Sequence, residues 1–361
     1  MRILIAGGGT GGHLFPGLAV AEELRARGHE VRFVGTLKGI EARAVPAADY
    51  PIDFIDIAGI KRSGWKAALR GVYAVPRAMG QSRAILRAQR PDVVVGVGGY
   101  ASGPMVLTAA LTGRPTAILE QNSIPGFTNR TLGRFAKTTF GAFETARASF
   151  PKKRYRLVGN PVRKRVRDVL AHAHGNGAAN AGGSVLVVGG SQGAHAVNEL
   201  VLAAMIELQR AGKAPRLLHQ SGEKDRAELQ RRYAEAGVAV DVRAFIDDMG
   251  TAYRDAAIVI ARAGASTLAE LTLIGKPALL IPLPTAADDH QTVNARELAD
   301  AGAAQLLPQA TTTPEALAAA VRTLLDDEVG RDRMKQASLS LAHPHAHEEI
   351  ADALESLAHV S

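Results

Sequence analysis

The chain has 361 residues, a length that suits two domains of ordinary size better than one. Hydrophobic residues make up 47% of it and charged residues 22%, the balance of a globular protein, which argues against a disordered chain. The absence of cysteine excludes disulfide bonds, thiolate metal sites and cysteine nucleophiles, and it fits a reducing cytoplasm.

The formal net charge is +8, which indicates an anionic partner. Only 4% of the residues are aromatic, and no basic run is interleaved with residues that stack on bases, which argues against nucleic acid. A phosphate-bearing ligand or an acidic membrane surface explains the charge, as would arginine on exposed helix faces. The first residues lack the pattern of a secretion signal, and no apolar stretch approaches the ~20 residues that cross a bilayer. We therefore expect a cytoplasmic protein, attached at most to a membrane surface.

Short apolar runs alternate with segments of helical periodicity, such as residues 17–27 and 223–236, along the whole chain. The alternating order, and strands that are apolar on both faces, predict an α/β fold in which helices cover parallel sheets. The predicted strands are 3–6, 31–34, 93–97, 116–119, 156–158, 185–188, 216–219, 240–244, 258–261 and 278–281.

One pattern, an apolar run that ends in a glycine turn, occurs twice: ILIAGGG at 3–9 and VLVVGGS at 185–191. A helical pattern follows each turn, so we predict two Rossmann-like domains, with ligands at the carboxyl ends of their strands and the sheets facing across a cleft. The first domain covers 1–162 and the second 163–340. Residues 171–183, AHAHGNGAANAGG, predict an exposed loop in the second domain.

The first glycine turn, residues 7–12, contains the G-x-G-x-x-G pattern of dinucleotide-binding loops. Its amides could meet an anion at the start of the helix that follows. A dinucleotide site also needs an acid at the end of the second strand, to bind ribose, but here that strand ends in Gly35-Thr36. The missing acid argues against NAD.

Three more polar segments follow strand ends. Residues 189–194, GGSQGA, offer amides and the Ser191 hydroxyl to a nucleotide diphosphate, although a plain strand–helix turn has the same pattern. Residues 98–104, GGYASGP, and the triplet 120–122, EQN, follow successive strands of the first half. Polar groups at neighbouring strand ends are typical of a broad active cleft.

In the second half, residues 262–270, RAGASTLAE, follow a strand and begin a helix. Glu270 could accept hydrogen bonds from a ribose diol, but Thr267 and Glu270 also have the spacing of a capping box. Both interpretations stay open on the residues alone.

Farther along, Asp289 is a natural N-cap, and Gln291 and Asn294 fall on one face of the helix that follows. The adjacent aspartates 288–289 lack the D-x-D spacing of a motif that holds a metal on a diphosphate. We therefore expect no required metal and no other cofactor.

Together these motifs closely resemble the MurG family, the peptidoglycan N-acetylglucosaminyltransferases of the two-domain GT-B class. They run in the family's order over almost the whole chain, which is more specific than any single motif. A histidine often precedes EQN in the family, whereas this chain has Leu119. The segments that carry the resemblance are 7–13 (GGGTGGH) with Pro16-Gly17, 98–104, 120–122, 160–163 (NPVR), 189–194, 262–270 and 289–291 (DHQ).

The resemblance implies inverting transfer of GlcNAc from UDP-GlcNAc to the 4-hydroxyl of the muramoyl sugar of lipid I, at the cytoplasmic face of the cell membrane. The first domain would meet the lipid acceptor, the second would bind the donor, and a final helix, 341–361, would pack back on the first domain. The implied acceptor-side residues are Gly98, Gly99, Tyr100 and Ser102. The implied donor-binding residues are Thr10, Gly11, Gly12, Asn122, Arg163, Ser191, Ile246, Ala265, Ser266, Thr267, Leu268, Ala269, Glu270 and Gln291.

Transfer from a nucleotide sugar needs a stabilised leaving diphosphate, which helix N-terminal amides and Arg163 can provide without a metal. It also needs a base for the acceptor hydroxyl. His13, beside the first glycine turn, has suitable chemistry, although it could instead brace the turn. Glu120 is the second candidate base, and a structural role suits it equally well.

The segment that begins at residue 60 mixes basic and apolar residues around the only tryptophan, as helices that dip into an anionic bilayer do. An ordinary amphipathic helix packed on the sheet has the same pattern. The predicted membrane contacts are Trp65, Lys66, Leu69, Arg70 and Tyr73.

Other functions are compatible with this architecture. A UDP-GlcNAc 2-epimerase would release ManNAc, free or as its UDP form, without an acceptor. An NAD-dependent oxidoreductase, suggested by the literal G-x-G-x-x-G, would bind NADH tightly without protection by UDP. A sensor of nucleotide sugars would bind UDP without turnover.

Overall fold

A computed structural model describes residues 1–57, 65–175, 183–190 and 193–359, with side chains for all of these except 65–74 and 170–175. The chain divides into two compact units. The first comprises Met1–Arg163 together with Pro344–Ser361, and the second comprises Lys164–His343.

Within the described ranges of the first unit, seven parallel strands form one sheet in the order β3-β2-β1-β4-β5-β6-β7. The order reverses between β1 and β4, where the loops after the two strands diverge and leave room for a ligand. The strands are β1 Arg2–Gly7, β2 Glu30–Gly35, β3 Ile52–Phe54, β4 Val93–Gly98, β5 Thr116–Glu120, β6 Thr138–Gly141 and β7 Tyr155–Leu157.

The described part of the second unit has a six-stranded parallel sheet in the order β10-β9-β8-β11-β12-β13. Its order reverses between β8 and β11. The strands are β8 Ser184–Val188, β9 Arg216–Gln220, β10 Val240–Arg243, β11 Ile258–Ala261, β12 Ala278–Leu280 and β13 Ala304–Leu306.

Helices connect the strands and cover both sheets. The helices of the described residues are α1 Gly11–Ala26, α2 Glu41–Ala44, α3 Trp65–Gln89, α4 Ser102–Leu111, α5 Phe127–Leu132, α6 Lys164–Gly175, α7 His195–Arg210, α8 Glu223–Glu235, α9 Met249–Asp255, α10 Ala265–Ile274, α11 His290–Asp300, α12 Pro314–Asp326, α13 Glu328–Ser340 and α14 Ala346–His359. Over the ranges that the structure covers, none of them is long and apolar enough to cross a membrane.

The ten strands predicted from the sequence are all present, with ends displaced by at most one residue. Three short strands, β3, β6 and β13, were not predicted, because three or four residues of mixed polarity give no periodic signal. The predicted loop at 171–183 is wrong at its start, where α6 continues to Gly175. Alanine is the best helix former, which favours this extension through an AHAH sequence.

The last helix belongs to the core of the first unit, where Ile350 and Leu354 of α14 are buried together with Leu18 of α1. An ion pair and a hydrogen bond hold the exposed edge of the same contact. Arg27 lies 2.5 Å from Asp352, and His29 Nε2 lies 2.7 Å from Glu355. Burial ties α14 to α1, and these polar contacts tie it to the residues that follow α1.

Candidate active site

Two glycine loops of the first unit meet at the point where the strand order reverses. Gly8 at the end of β1 donates its amide to the carbonyl of Gly98 at the end of β4, at 3.2 Å. A Cβ on Gly7 would overlap the oxygen of Gly98, and one on Gly99 would overlap the oxygen of Gly8. Glycine is required here because the two backbones are in direct contact.

His13, in the first turn of α1, lies beside these loops, and Gln121 contacts its imidazole. Its Nδ1 is 3.1 Å from Gln121 Oε1, and the amide of Gln121 donates to the carbonyls of Val97 and Leu119 at 3.1 and 3.2 Å. Because both amide hydrogens bind carbonyl oxygens, the amide oxygen must face His13, and Nδ1 must be the donor. The neutral imidazole then carries its basic lone pair on Nε2, as a general base requires.

Glu120 is buried, with 1% of its surface exposed. Its Oε1 accepts from the amide of Asn122 and its Oε2 from Asn129 Nδ2, both at 3.0 Å. Burial raises the pKa of Glu120 to about 7, although these hydrogen bonds oppose the shift. In this geometry the carboxyl group supports the turn that carries Asn122.

The residues predicted beside His13 lie at the start of α1 and α4. Thr10 is exposed at the N-cap of α1, and Gly11 and Gly12 form its first turn, where helix amides lack intrahelical partners. Tyr100 is 56% exposed, whereas Ser102 is fully buried and packs over Gly96 of β4. Of the acceptor-side group, Tyr100 therefore presents its side chain to solvent.

Arg163, predicted to contact the donor, packs on α1. Its Nε is 3.7 Å from Glu22 Oε1, and its guanidinium lies 5.6 Å from the centre of the Phe15 ring. The side chain is nevertheless 40% exposed, so it can reach an anion in solution.

In the second unit, Gln220 links the glycine loop after β8 to Ile246. Its amide donates to the Gly190 carbonyl at 3.1 Å, and its Oε1 accepts from the backbone amide of Ile246 at 3.3 Å. Ile246 itself is buried. Ser191, predicted for the same loop, lies outside the described residues.

The predicted ribose-binding turn is the first part of α10, from Ala265 to Glu270. The N-cap of α10 is Gly264, so the capping-box interpretation of Thr267 and Glu270 is wrong. Glu270 instead accepts a hydrogen bond of 2.9 Å from the hydroxyl of Tyr253, which is fully buried. Burial and the Glu270 carboxylate raise the pKa of Tyr253 far above its ordinary value, which keeps the hydroxyl protonated as a donor.

The other residues of the turn differ in how far they are buried. Ala265 and Leu268 are buried, whereas Ser266, Thr267 and Ala269 are partly exposed. The Ser266 hydroxyl oxygen is nonetheless shielded from solvent, and in the described part of the chain it has no hydrogen-bond partner.

Two side-chain amides of α11 form hydrogen bonds with the backbone that follows strands β12 and β11. Gln291 Oε1 accepts from the amide of Leu283 at 3.0 Å, and Asn294 Nδ2 donates to the carbonyl of Ala263 at 3.2 Å. Asp289 is the N-cap, with φ 54°, and its carboxylate accepts from the hydroxyl of Thr292. Among the residues covered by the structure, no three His, Asp or Glu side chains are grouped to hold a metal.

A buried polar network joins α7, β9 and α8 of the second unit. Asn198 donates to the Ser221 carbonyl and to Asp225, so its oxygen accepts from His219 Nε2 at 3.0 Å. His219 Nδ1 accepts from the hydroxyl of Tyr233 at 3.0 Å. The ring is therefore neutral, and burial lowers the pKa of His219 to about 4.

The buried, neutral His219 predicts that the free energy of unfolding of the second unit falls at acidic pH. Between the ordinary pKa of His219, 6.5, and its folded value of about 4, the unfolded chain binds a proton that the folded chain does not. The contribution of neutral His219 to the free energy of unfolding is fully present above this window. It is lost as the pH falls through the window, by about 2 kcal/mol from pH ~7 to ~5. Urea unfolding at the two pH values measures the loss. His219→Gln should be less stable but should lack this part of the pH dependence, and an unchanged pH dependence would contradict the assignment.

Comparison with known proteins identifies the family. The glycosyltransferase family 28 N-terminal domain matches residues 3–141, and the family 28 C-terminal domain matches residues 184–354. A crystal structure of Acinetobacter baumannii MurG is 35% identical and superposes with a TM-score of 0.81, over 98% of this chain and 99% of that one. The chain belongs to the MurG family of glycosyltransferases.

Two curated relatives of the MurG family extend this comparison. Both are named "UDP-N-acetylglucosamine--N-acetylmuramyl-(pentapeptide) pyrophosphoryl-undecaprenol N-acetylglucosamine transferase". The protein of Anaeromyxobacter sp. (strain Fw109-5) is 49% identical and that of Myxococcus xanthus (strain DK1622) 48%, each over 98% of this chain and 92% of the relative. The resemblance inferred from the ordered motifs, the α/β fold class of GT-B type and the glycosyltransferase class are thus confirmed.

Sequence reasoning missed the residues that hold the site together. Gln121 was visible only as part of EQN, and Gln220 and Tyr253 carried no signal at all. Each of the three binds a predicted site residue that is distant in sequence.

Proposed function

We propose that the chain transfers GlcNAc from UDP-GlcNAc to the muramoyl sugar of undecaprenyl-diphospho-muramoylpentapeptide, lipid I, giving lipid II and UDP in peptidoglycan synthesis. The observation that carries the proposal is similarity over 98% of the chain, covering both domains, to relatives named for this transfer. The arrangement of His13 and Gln121 supports it, because the reaction needs an oriented base.

In the mechanism we propose, His13 Nε2 takes the proton of the acceptor 4-hydroxyl as the oxygen attacks the anomeric carbon of GlcNAc. The C–O bond to the diphosphate breaks in the same in-line displacement, which inverts the anomeric centre and needs no covalent enzyme intermediate. Glu120 supports the Asn122 turn in this mechanism. It is the alternative base, since a pKa of about 7 suits proton transfer.

The leaving diphosphate needs positive charge and amide donors. We assign these roles to Arg163, to Ser191, and to the first-turn amides of α1 with Thr10, and we propose that Asn122 also binds the donor. We propose that the N-terminal domain meets the acceptor, with Gly98, Gly99 and Tyr100 nearest to it.

For the donor, we propose that Glu270 accepts hydrogen bonds from the ribose hydroxyls. Ile246 and the turn from Ala265 to Ala269 would hold the uracil and ribose. Gln291 would bind GlcNAc through its amide hydrogens, because its oxygen already accepts from Leu283.

We further propose that the enzyme lies at the cytoplasmic face of the cell membrane, bound to anionic lipid. The five predicted membrane contacts begin α3, whose backbone is helical from Trp65 to Gln89. Their side chains lie outside the described residues, so the support comes from the alternation of basic and apolar residues in sequence.

The purified protein tests the proposed function when it is incubated with a lipid I analogue and radiolabelled UDP-GlcNAc in the presence of EDTA. We expect labelled disaccharide-lipid and free UDP, with no dependence on added metal. Without the acceptor, release of ManNAc or UDP-ManNAc would support an epimerase and overturn the proposal. UDP binding without either product would indicate a sensor instead.

A further inference from the structure

Glu41, the first residue of α2, binds the first glycine loop through a buried carboxylate. The side chain is 1% exposed. Its Oε2 accepts from the amide of Gly9 at 2.7 Å, and its Oε1 accepts from the amide and the hydroxyl of Thr36, both at 2.9 Å. One carboxylate therefore connects the loop after β1 to the end of β2.

Three glycines make room for this carboxylate. A Cβ on Gly8, Gly35 or Gly39 would collide with the side chain of Glu41 in each case. Gly8 follows β1, whereas Gly35 and Gly39 lie at and just after the end of β2, and all three have the Glu41 side chain as their common neighbour. The carboxylate therefore sits in a pocket of glycines from two segments of the chain.

The carboxylate of Glu41 occupies a hydrogen-bond donor of the first glycine loop. In a G-x-G-x-x-G loop, backbone amides normally face the phosphates of a bound nucleotide. Here the amide of Gly9 already donates to an anion that belongs to the chain. Charge-assisted hydrogen bonds to backbone amides are among the stronger ones in proteins, so the loop is held firmly.

We propose that Glu41 is a positioning residue for transfer. It holds the first glycine loop so that Thr10, within the loop, and His13, which directly follows it, keep their reactive placement. This inference rests on the proposed function, and it predicts a defect in the chemical step, because Glu41 itself touches neither substrate.

Glu41→Gln is the direct test, since it keeps the volume but not the bonding. An amide has one oxygen, which can accept from Gly9 or from Thr36, and its NH₂ group then faces the other donor. We expect kcat to fall by about 10-fold or more, while the Kd for UDP, measured by calorimetry, rises by a clearly smaller factor, because Thr10 supplies only part of the proposed nucleotide contacts. Glu355→Gln is the matched control, because it removes a carboxylate of the same unit on the α14 contact and should keep wild-type kcat.

Gly39→Ala provides a second route to the same state. Its Cβ would push the carboxylate away from the loop while Glu41 keeps its charge. We expect the same result, a kcat that falls by a larger factor than the affinity for UDP, and this variant decides the question if Glu41→Gln does not fold. The proposal is overturned if both folded variants keep wild-type kcat, or if the affinity for UDP falls by the same factor as kcat. If the wild-type chain transfers no GlcNAc, the proposed function has failed instead.

Discussion

Replacing His13 with alanine is expected to lower kcat for GlcNAc transfer by about 10²–10⁴-fold. The physical reason is the loss of a base that Gln121 presents in one tautomer, with Nδ1 donating to the Gln121 oxygen. The Kd for UDP should stay close to the wild-type value, because the residues proposed for the nucleotide belong mainly to the second unit. Steady-state kinetics with a lipid I analogue, together with calorimetry of UDP binding, measures both quantities.

Two variants make this result specific. His345→Ala removes an exposed histidine of the same unit and should leave kcat unchanged. Glu120→Gln retains an oxygen for the Asn122 amide, so we expect a smaller loss than in His13→Ala. If Glu120→Gln abolishes transfer while His13→Ala retains it, Glu120 is the base and the assignment of His13 is wrong.

The fold was largely predictable because its signals are local. Strands such as β1 and β4 are continuous apolar runs that end in glycine, and this pattern distinguishes a buried parallel strand from a helix. The edge strands β3 and β13 depend on a neighbour for their conformation. β3, for example, pairs with β2 through only three residues, and this pairing is not visible in its own sequence.

The candidate site was predictable only in part. Glycine loops and polar residues at strand ends can be recognised from a single sequence, since each motif is contiguous. The partners that orient them are not contiguous: His13 meets Gln121 across 108 positions, and Gly9 meets Glu41 across 32. Such pairs follow from strand order and register, which only the folded chain determines.

The acid that a dinucleotide site needs at the end of β2 shows why the sequence predicted the site only in part. A carboxylate does reach the end of β2, but it comes from the start of α2 and accepts from Gly9 and Thr36. The structure therefore adds a second reason why the first loop does not suit a dinucleotide. The amide that a phosphate would use there is already bound.

Replacing Glu270 with alanine is expected to raise the KM for UDP-GlcNAc by about 10- to 100-fold, the value of hydrogen bonds to a charged acceptor. Tyr253→Phe should raise the same KM by a smaller factor, because it keeps the carboxylate and removes only the hydroxyl that orients it. Both variants should change kcat little at saturating donor, since ribose contacts are the same in the ground state and the transition state.

Tyr233→Phe removes the hydroxyl of another buried tyrosine in the same unit, which is bonded to His219, and it should leave the KM unchanged. A wild-type KM in Glu270→Ala would rule out the ribose contact. A wild-type KM in Tyr253→Phe alone would show that Glu270 binds ribose without help from the buried phenol.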